Sequence, residues 1–280
     1  MIAAIIGIGL IGGSFALSLK DNNLVKKILG VDSNINNSNE ALRLGLVDEI
    51  VTLEQAAEQA NFIVVTTPVN YIPTVVIKLL NRINEKCIVI DMGSTKSELC
   101  DMISQHPNRG RFVATHPMWG TEYSGPKAAL HNAFKGSTVV LCEKDKSNQD
   151  AINFVENIYK SIGMNVTYMN AEDHDIHTAY ISHISHLTSF ALSLTVLEKE
   201  LEEDHITVLA GGGFDSTVRL AKSSPEMWLP IFMQNKYNVL DVLREHIHQL
   251  QILRKLIEKD DTDGLKKAMQ KANEIRRIIK

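Results

Sequence analysis

A glycine-rich segment near the start of the chain limits the possible fold more than any other feature. Residues 7–12 form a Gly-x-Gly-x-x-Gly pattern directly after the apolar, β-branched run 2–6. A helical pattern follows, and a second apolar run, 28–31, ends at Asp32, about 20 residues after Gly12. A strand, a glycine turn, a helix and a second strand that ends in an acid predict the first βαβ unit of a dinucleotide-binding domain.

Each residue of this motif has its own role in that prediction. Gly7 permits the tight turn, Gly9 lets the backbone approach a pyrophosphate, and Gly12 lets the helix pack closely on the strand. The helix N-terminus, which includes Leu10 and Ile11, offers free N–H groups and the positive end of the helix dipole to the phosphates. We therefore expect these residues to bind the cofactor; the alternative is a tight glycine turn without a ligand.

Asp32 predicts NAD rather than NADP as the cofactor. Its carboxylate can accept hydrogen bonds from the ribose diol of adenosine, whereas it would repel a 2′-phosphate. Ser33 and Asn34 follow it, so no arginine stands directly after it to bind such a phosphate.

The first 170 residues continue the alternation of short apolar runs with helix-length segments. Such alternation produces βαβ units, and hence a mostly parallel sheet that is covered by helices on both faces. The predicted strands are 2–6, 28–31, 62–66, 87–90, 112–114, 138–141 and 165–168. After about Asn170 the predicted elements are the helices 171–202, 214–221, 225–258 and 262–279. We expect an α/β, doubly wound Rossmann-type domain over residues 1–170 and an all-α domain over residues 171–280.

Composition and charge argue against several other classes of protein. With 29 Lys and Arg against 33 Asp and Glu, the formal net charge of -4 argues against nucleic-acid binding. The N-terminus lacks the basic region of a signal peptide, and the apolar stretch 181–197 contains too many polar residues for a membrane span. The 3 cysteines form neither a metal-binding spacing nor a disulfide framework. We expect a soluble, cytoplasmic protein that binds neither nucleic acid nor membrane.

Several candidate residues stand at the carboxyl ends of two predicted strands. They are Thr66, Thr67 and Pro68 at the end of one strand, and Gly93 and Ser94 at the end of the next. The carboxyl ends of parallel strands border the crevice in which cofactors and substrates bind. We therefore expect the first four residues at the cofactor and Ser94 near the nicotinamide. An N-cap for the helix that begins near Lys96 is an equal alternative for Ser94.

His116 is a candidate general base. It comes just after a predicted strand, and Pro117 restricts it to an extended conformation that points the imidazole out of the sheet edge. An unperturbed histidine has a pKa of about 6.5, which suits the removal of a proton from an alcohol near neutral pH. A purely structural histidine is the alternative.

Two histidines and an arginine in the helical region are further candidates. His183 and His186 lie three residues apart on one predicted helix and so share a face. The helix offers no obvious third ligand, so we expect substrate binding or helix packing there, and no metal. Arg219 follows the turn 211–213 and can grip a carboxylate with two parallel hydrogen bonds; a solvent-exposed arginine is the alternative.

Taken together, these segments resemble the prephenate/arogenate dehydrogenase family of tyrosine biosynthesis. The matches include MGSTK at 92–96. The fingerprint GIGLIGGS at 7–14 is generic, but THPMWGTE at 115–122 and GGGFDSTVRLAKSSPEMW at 211–228 are specific in combination. An HD pair at 174–175 and the SHISH run at 182–186 stand between the last two, in the order typical of the family. The resemblance covers most of the chain.

The resemblance implies an NAD-dependent oxidative decarboxylation, in which a cyclohexadienol loses hydride and CO2 and becomes aromatic. Prephenate would yield 4-hydroxyphenylpyruvate, and arogenate would yield tyrosine. The resemblance further implies that His116 takes up the proton of the ring hydroxyl and that Ser94 orients this hydroxyl. The implied substrate-binding residues are His186, His183, Arg219, Gly212, Trp228 and Glu122.

A second substrate and two other classes of protein are alternatives to prephenate dehydrogenation. Asp215 stands where relatives can carry a basic residue. Arogenate is therefore an alternative substrate to prephenate. Another NAD(P)-dependent dehydrogenase, of the β-hydroxyacid or imine type, would be expected to place its catalytic lysine or aspartate in the helical domain. A non-catalytic NAD-sensing protein would not need His116, His186 and Arg219 together.

The predicted helix 171–202 also indicates a dimer. Its apolar residues spread around much of the helix: Ile176, Ile181, Ile184, Leu187, Phe190, Leu194 and Leu197. A helix that is apolar on more than one stripe must be covered on more than one side, and the chain supplies few further helices. We therefore expect a homodimer. The family resemblance likewise implies that the helical domains bind substrate and dimerise.

Overall fold

The computed structural model describes residues 1–201 and 206–278. The chain divides into two compact units, Met1–Asn235 and a second unit that begins at Lys236. The first unit contains the whole sheet together with the helices that precede Lys236, and the regular elements described in the second unit are all helices.

The sheet belongs to the first unit. Its strands are β1 (Ile2–Ile6), β2 (Lys27–Val31), β3 (Glu49–Ile50), β4 (Phe62–Val65), β5 (Ile88–Asp91), β6 (Phe112–Pro117), β7 (Thr138–Cys142) and β8 (Asn165–Met169). Within the described residues these strands form one sheet in the order β3-β2-β1-β4-β5-β6-β7-β8. Neighbouring strands are parallel except β6 and β7, which are antiparallel. The order reverses direction between β1 and β4, and ligands of such sheets bind outside the carboxyl ends of the strands at this reversal.

The other regular elements of the described chain are helices. They are α1 (Leu10–Asp21), α2 (Ile35–Arg43), α3 (Leu53–Gln59), α4 (Ile72–Leu80), α5 (Ser97–Met102), α6 (Gln149–Ser161), α7 (Ala171–Thr178), α8 (Ile184–Glu200), α9 (Gly212–Val218), α10 (Pro225–Gln234), α11 (Lys236–Glu258) and α12 (Thr262–Ala272). A π-helical turn, Ala179–His183, joins α7 to α8, and a 3-10 helix, Arg219–Lys222, follows α9.

The sheet is buried on both faces because successive residues of its strands point to opposite sides. In β4 every residue is buried. Phe62 and Val64 belong to one apolar cluster with Phe15 of α1. Ile63 and Val65 belong to the second cluster with α4. Runs of β-branched and aromatic residues therefore form the central strands, as expected for a parallel sheet covered on both sides.

The predicted fold class is confirmed. Every predicted strand is present, and the described residues after Met169 that adopt regular structure are helical. The two-residue strand β3 was not predicted, because a pair of residues carries no periodicity. The expectation that His116 follows a strand was wrong: β6 extends to Pro117, because antiparallel pairing with β7 aligns His116 with Val140.

Two helix predictions need correction. The single helix expected over 225–258 is interrupted at Asn235, whose backbone leaves the helical region with φ -99° and ψ 27°. Asn235 is buried, and its side-chain amide donates to the backbone carbonyl of Asp175 at 2.6 Å. The helix expected over 214–221 begins earlier, at Gly212, and ends in a 3-10 turn. Glu202 and Ile279, the expected ends of two other helices, lie outside the described residues.

The second unit contains α11 and α12. Asp261 caps α12, because its carboxylate accepts a hydrogen bond from the backbone N–H of Gly264 at 2.9 Å. Across 1–201 and 206–278, no helix combines the length and the apolar character that crossing a membrane requires.

Candidate active site

The glycine loop between β1 and α1 packs directly against the end of β4. Gly7 has φ +94°, and a side chain there would come within 3.0 Å of the Thr66 backbone. A Cβ on Gly12 would lie 2.2 Å from the carbonyl oxygen of Gly7. The hydroxyl of Thr66 donates to the same carbonyl. The two glycines are therefore required by close backbone packing, and Thr66 supports the loop from beneath.

Gly9 differs from these two glycines because the space beside it is open. A Cβ on Gly9 would meet no atom within 4 Å. Gly9 is also the N-cap of α1, and no side chain accepts a capping hydrogen bond there. The N–H groups of the first turn, beginning with Leu10 and Ile11, are therefore not capped by a side chain. An open approach to a helix N-terminus is the arrangement that binds a pyrophosphate. The residues present therefore fit a dinucleotide.

Asp32 lies at the end of β2 and beside the glycine loop. Its Oδ2 accepts a hydrogen bond from the backbone N–H of Ile8 at 2.9 Å, and its Oδ1 accepts one from the N–H of Asn34 at 2.8 Å. These bonds orient the carboxylate, and each oxygen keeps a second lone pair. Asp32 can therefore still accept hydrogen bonds from a ribose diol.

The other predicted cofactor residues lie at the ends of β4 and β5. The hydroxyl of Thr67 is buried and has no hydrogen-bond partner among the described residues, while Pro68 is exposed. The N–H of Gly93 donates to Asp91 at 2.8 Å, and a side chain on Gly93 would approach Ile72 to 2.7 Å. Gly93 therefore allows the segment after β5 to pack closely.

A buried ion pair lies beneath this segment. Lys96 Nζ donates to Asp91 Oδ2 at 2.5 Å, and both side chains are completely buried. The backbone N–H of Thr115 in the neighbouring strand β6 donates to Asp91 Oδ1 at 3.2 Å. Removing one partner of such a pair typically costs about 3–5 kcal/mol, because the other charge stays buried alone. The pair therefore ties together the ends of β5 and β6, where Ser94 and His116 lie.

Asp175 of α7 holds the start of α5. Its Oδ1 accepts from the backbone N–H of Lys96 at 2.8 Å, and its Oδ2 accepts from that of Ser97 at 2.9 Å. The N-cap of α5 is Lys96, without a side-chain cap of its own. The alternative role of Ser94 as the N-cap is therefore wrong. Ser94 is partly exposed at the carboxyl end of β5.

His116 is hydrogen-bonded to a second histidine. Its Nδ1 lies 2.8 Å from Nε2 of His174, and Nδ1 of His174 lies 2.8 Å from Oδ1 of Asp175. His174 and Asp175 are buried, whereas His116 is partly exposed. The three side chains form one continuous chain of hydrogen bonds from α7 to β6.

These surroundings keep both imidazoles neutral. Burial is the main reason why the pKa of His116 lies well below its usual value. Electrostatic repulsion from the nearby His174 and Lys96 lowers it further. Burial also lowers the pKa of His174, although Asp175 partly opposes this. Burial opposes ionisation of Asp175, but hydrogen bonds from His174 and Ser97 outweigh it and lower the pKa of this carboxyl. At neutral pH the carboxylate is charged and the two rings are not.

His183 belongs to the π-helical turn and is only 1% exposed. Its Nδ1 lies 3.2 Å from the side-chain amide nitrogen of Asn235, which can only donate, so this Nδ1 accepts. Its Nε2 therefore carries the hydrogen, and it has no hydrogen-bond partner among the described residues. Burial lowers the pKa of His183 to about 4.

His186 and Trp228 stack on each other. Their ring centroids are 3.5 Å apart at an interplanar angle of 28°, and His183 contacts the same indole edge-on at 5.9 Å. Nδ1 of His186 donates to the carbonyl of Ser182 at 3.1 Å, which leaves its Nε2 free to act as an acceptor. The Nε1 of Trp228 is buried without a hydrogen-bond partner in the part of the chain that the structure describes.

Arg219 pairs with Glu122. Its Nη1 donates to Glu122 Oε2 at 2.9 Å, and the Arg219 side chain remains 48% exposed. The charge of Arg219 contributes to the lowered pKa of His186, after burial. Asp215 forms a separate ion pair with Lys222 at 2.7 Å. Gly212 is the exposed first residue of α9, and a side chain there would meet nothing within 4 Å.

The structure thus groups the predicted residues into three sets within the first unit. The glycine loop, Asp32 and Thr66 form the first set. His116 and the segment carrying Ser94 form the second, joined by the Asp91–Lys96 pair. His183, His186 and Trp228 form the third, near Arg219 and Glu122. Asn235 connects the last two sets, because its side-chain amide nitrogen donates to the carbonyl of Asp175 at 2.6 Å and lies 3.2 Å from Nδ1 of His183.

Sequence reasoning missed Lys96, His174 and Asp175 as site residues. The HD pair at 174–175 was a signal that could have drawn attention to two of them. Lys96 is the last residue of the MGSTK motif, but a lysine at a helix start is ordinarily exposed, so its burial was not expected. The described residues contain no group of three or more His, Cys, Asp or Glu that could hold a metal ion.

Two family models match the chain. A family model described as "Prephenate dehydrogenase, nucleotide-binding domain" matches residues 15–168, and one described as "Prephenate dehydrogenase, dimerization domain" matches residues 170–271. The prephenate dehydrogenase of Bacillus subtilis is 32% identical over 273 residues, which cover 96% of this chain and 74% of that protein.

Solved structures show the same similarity. The crystal structure of prephenate dehydrogenase from Aquifex aeolicus, in complex with hydroxyphenyl propionate and NAD+, has a TM-score of 0.91 at 31% identity and covers 100% of this chain and 98% of that one. Synechocystis arogenate dehydrogenase has a TM-score of 0.78 at 26% identity, with 99% of each chain covered. The chain belongs to the prephenate/arogenate dehydrogenase family.

Proposed function

We propose that the chain catalyses the NAD-dependent oxidative decarboxylation of prephenate to 4-hydroxyphenylpyruvate. The observation that carries the proposal is His116, a partly exposed imidazole that its surroundings hold neutral, in a domain whose glycine loop fits a dinucleotide. A neutral imidazole is the form that can accept a proton from an alcohol. The identity to the prephenate dehydrogenase of Bacillus subtilis supports the same substrate here.

The cofactor in this proposal is NAD. Gly7, Gly9 and Gly12, with Leu10 and Ile11 of the first helical turn, would hold the pyrophosphate, and Asp32 would bind the adenosine ribose. Thr67, Pro68 and Gly93 border the same end of the sheet, while Thr66 supports the loop. The chemistry that bound NAD supplies is acceptance of the hydride from the ring carbon.

His116 takes up the proton of the ring hydroxyl as the hydride leaves the ring carbon that carries this hydroxyl. The electron pair of the O–H bond moves toward that carbon, and the bond between the ring and its carboxylate breaks to release CO2. The electron pair of this broken bond stays with the ring and makes it aromatic. The product is a phenol and keeps one hydroxyl, so His116 returns the proton to the oxygen. His116 therefore ends each cycle neutral, which suits a site where burial penalises a charged imidazole.

The remaining predicted residues bind and orient the substrate in this proposal. Ser94 donates to the ring hydroxyl, and Arg219 holds a substrate carboxylate with the donors that Glu122 leaves unused. His186 and Trp228 form an aromatic wall, with His183 behind the indole. Gly212 leaves open space at the start of α9. Holding the reacting groups in a productive orientation can lower the barrier by about 7–11 kcal/mol.

We further propose that residues 1–170 form the NAD-binding domain and that residues 171–280 bind substrate and form a homodimer. The two family-model matches meet at residues 168 and 170 and support this boundary. On α8 the apolar side chains of Leu194 and Leu197 are 67% and 55% exposed, which supports a partner subunit as their cover. A monomeric mass by light scattering at micromolar concentration would contradict the dimer. A cytoplasmic location fits a biosynthetic enzyme and is part of the proposal.

The test of the function is an NADH absorbance assay with prephenate, arogenate and a simple β-hydroxyacid. We expect turnover of prephenate, and we expect His116→Asn to lower kcat by about 10²–10⁴-fold with KM nearly unchanged. No NADH from prephenate, or a His116→Asn enzyme with the wild-type kcat, would contradict the proposal. A higher kcat/KM with arogenate would identify an arogenate dehydrogenase instead.

A further inference from the structure

We propose that His174 and Asp175 are positioning residues that set the tautomer of His116, so that His116 presents the lone pair of its Nε2 to the substrate hydroxyl. This inference rests on the proposed function of His116 as the base. Neither residue has a role in the mechanism above.

Asp175 acts only as an acceptor. The backbone N–H groups of Lys96 and Ser97, which can only donate, lie 2.8 and 2.9 Å from its two oxygens. Donors on both oxygens stabilise the charged carboxylate, and a proton on either oxygen would have to compete with them. The third contact of Asp175, at 2.8 Å, is Nδ1 of His174. His174 therefore carries its hydrogen on Nδ1.

This arrangement determines the bond to His116. A neutral imidazole has one N–H and one lone pair, so a His174 that donates from Nδ1 must accept at Nε2. The atom that lies 2.8 Å from this Nε2 is Nδ1 of His116, which must be the donor. The hydrogen of neutral His116 is thus on Nδ1 and its lone pair is on Nε2. The opposite orientation would require a charged His174, which is only 1% exposed.

The cation nearest the pair favours the same state. Lys96 lies nearby with its ammonium bound to Asp91, and a buried cation opposes a second positive charge on either ring. The carboxylates of Asp91 and Asp175 favour a positive charge on His174, but burial of this ring outweighs them. His183, which lies near His116, is itself buried. When the hydroxyl proton reaches Nε2, the Nδ1–H bond to His174, backed by Asp175, stabilises the imidazolium that forms. This bond is lost if His174 cannot accept.

Two substitutions of His174 separate this role from simple packing. His174→Phe keeps a ring of similar size but removes both hydrogen bonds. His174→Gln keeps one donor for Asp175 and one acceptor for His116 in a side chain that does not titrate. His177→Phe is the matched control, because it makes the same change at an exposed position of the same helix.

The first measurement is the ¹⁵N spectrum of the His116 ring in the ligand-free protein, assigned by its loss in His116→Asn. We expect the Nδ1–H tautomer in the wild type, in His174→Gln and in His177→Phe, and a mixture of tautomers in His174→Phe. A wild-type His116 that carries its hydrogen on Nε2, or an unchanged tautomer in His174→Phe, would overturn the inference. This measurement needs no turnover, so it stands apart from any failure of the proposed function.

The second measurement is a double-mutant cycle in kcat for prephenate. We expect His174→Phe to lower kcat by about 10²-fold or more with KM changed less than about 2-fold, as for a base held in the wrong tautomer. In the His116→Asn background the same change should alter kcat less than about 2-fold. His174→Gln should retain most of the activity. An equal loss in both backgrounds, or an inactive His174→Gln that unfolds at the wild-type temperature, would show a role that does not act through His116.

Discussion

Arg219 and Glu122 form an ion pair in which the guanidinium Nη1 lies 2.9 Å from the carboxylate oxygen Oε2. The pair joins the 3-10 helix after α9 to the segment that follows β6. Glu122 uses one of the five N–H donors of Arg219, and half of the side chain is exposed. The remaining donors are available to a second carboxylate, such as one on the substrate.

Replacing Arg219 should therefore weaken substrate binding more than it slows the reaction. We expect Arg219→Ala to raise KM for prephenate at least about tenfold with a smaller effect on kcat, because the contact exists in the ground state as well as in the transition state. Arg219→Lys should recover only part of the loss, since an ammonium cannot form two parallel bonds. Steady-state kinetics check this, and Lys222→Ala serves as the control at the neighbouring cation. An unchanged KM in Arg219→Ala would remove Arg219 from the binding site.

Stability should fall in mild acid because His183 is buried in its neutral form. Its pKa in the folded protein is about 4, below the unfolded value of about 6.5. Between these values the unfolded chain binds the proton and the folded chain does not, so stability decreases as the pH falls from about 6.5 to 4. The difference corresponds to up to about 3 kcal/mol. His116, His174 and His186 have pKa values shifted in the same direction.

Urea denaturation at pH 7.5 and pH 5 measures this effect. We expect the wild type to lose stability at the lower pH and His183→Gln to lose less of it. The exposed His177→Gln is the control and should behave as the wild type. Equal pH dependence in His183→Gln and the wild type would show that His183 is not the group responsible.

Gly9 and Gly12 of the glycine loop should respond differently to replacement by alanine. A Cβ on Gly12 would lie 2.2 Å from the Gly7 carbonyl oxygen, so Gly12→Ala must displace backbone and should cost about 1–3 kcal/mol of stability. Gly9→Ala meets no atom within 4 Å at a backbone φ of -88°, so it should leave the melting temperature nearly unchanged. It should nevertheless weaken NAD binding, because its methyl group fills the space for the pyrophosphate. Calorimetric titration of NAD and thermal melts of both variants check this, and full NAD affinity in Gly9→Ala would contradict the loop as the binding site.

Cofactor choice should depend on Asp32. We expect kcat/KM with NAD to exceed that with NADP at least tenfold, which corresponds to about 1.4 kcal/mol. Asp32→Asn should narrow this preference, because it removes the charge that repels the 2′-phosphate while an amide oxygen remains to accept from Ile8. Equal efficiency of the wild type with both cofactors would show that Asp32 does not discriminate between them.

The amino-acid sequence alone determined the class of fold and the position of the glycine loop. Local sequence patterns predict strands and helices of this type, because β-branched runs indicate strands and helical periodicity indicates helices. Residues 1–170 could therefore be predicted as an alternating α/β domain. Gly7 and Gly12 were predicted correctly for the same reason: the turn and the close approach involve residues within one βαβ unit. The candidate residues of the substrate site were predicted from the motifs of a family, not from periodicity.

Only the tertiary structure decided how His116 is held. Its partners, His174 and Asp175, are about sixty residues away in the sequence, and Asp175 also caps a helix that starts 78 residues before it. The burial of Lys96 with Asp91, the extension of β6 through His116 by pairing with β7, and the break at Asn235 likewise depend on distant segments. Hydrogen bonds between residues far apart in the chain leave no periodic pattern in the sequence, because each partner's type is compatible with an exposed surface position. Their roles exist only once folding has removed them from water and brought them within hydrogen-bonding distance.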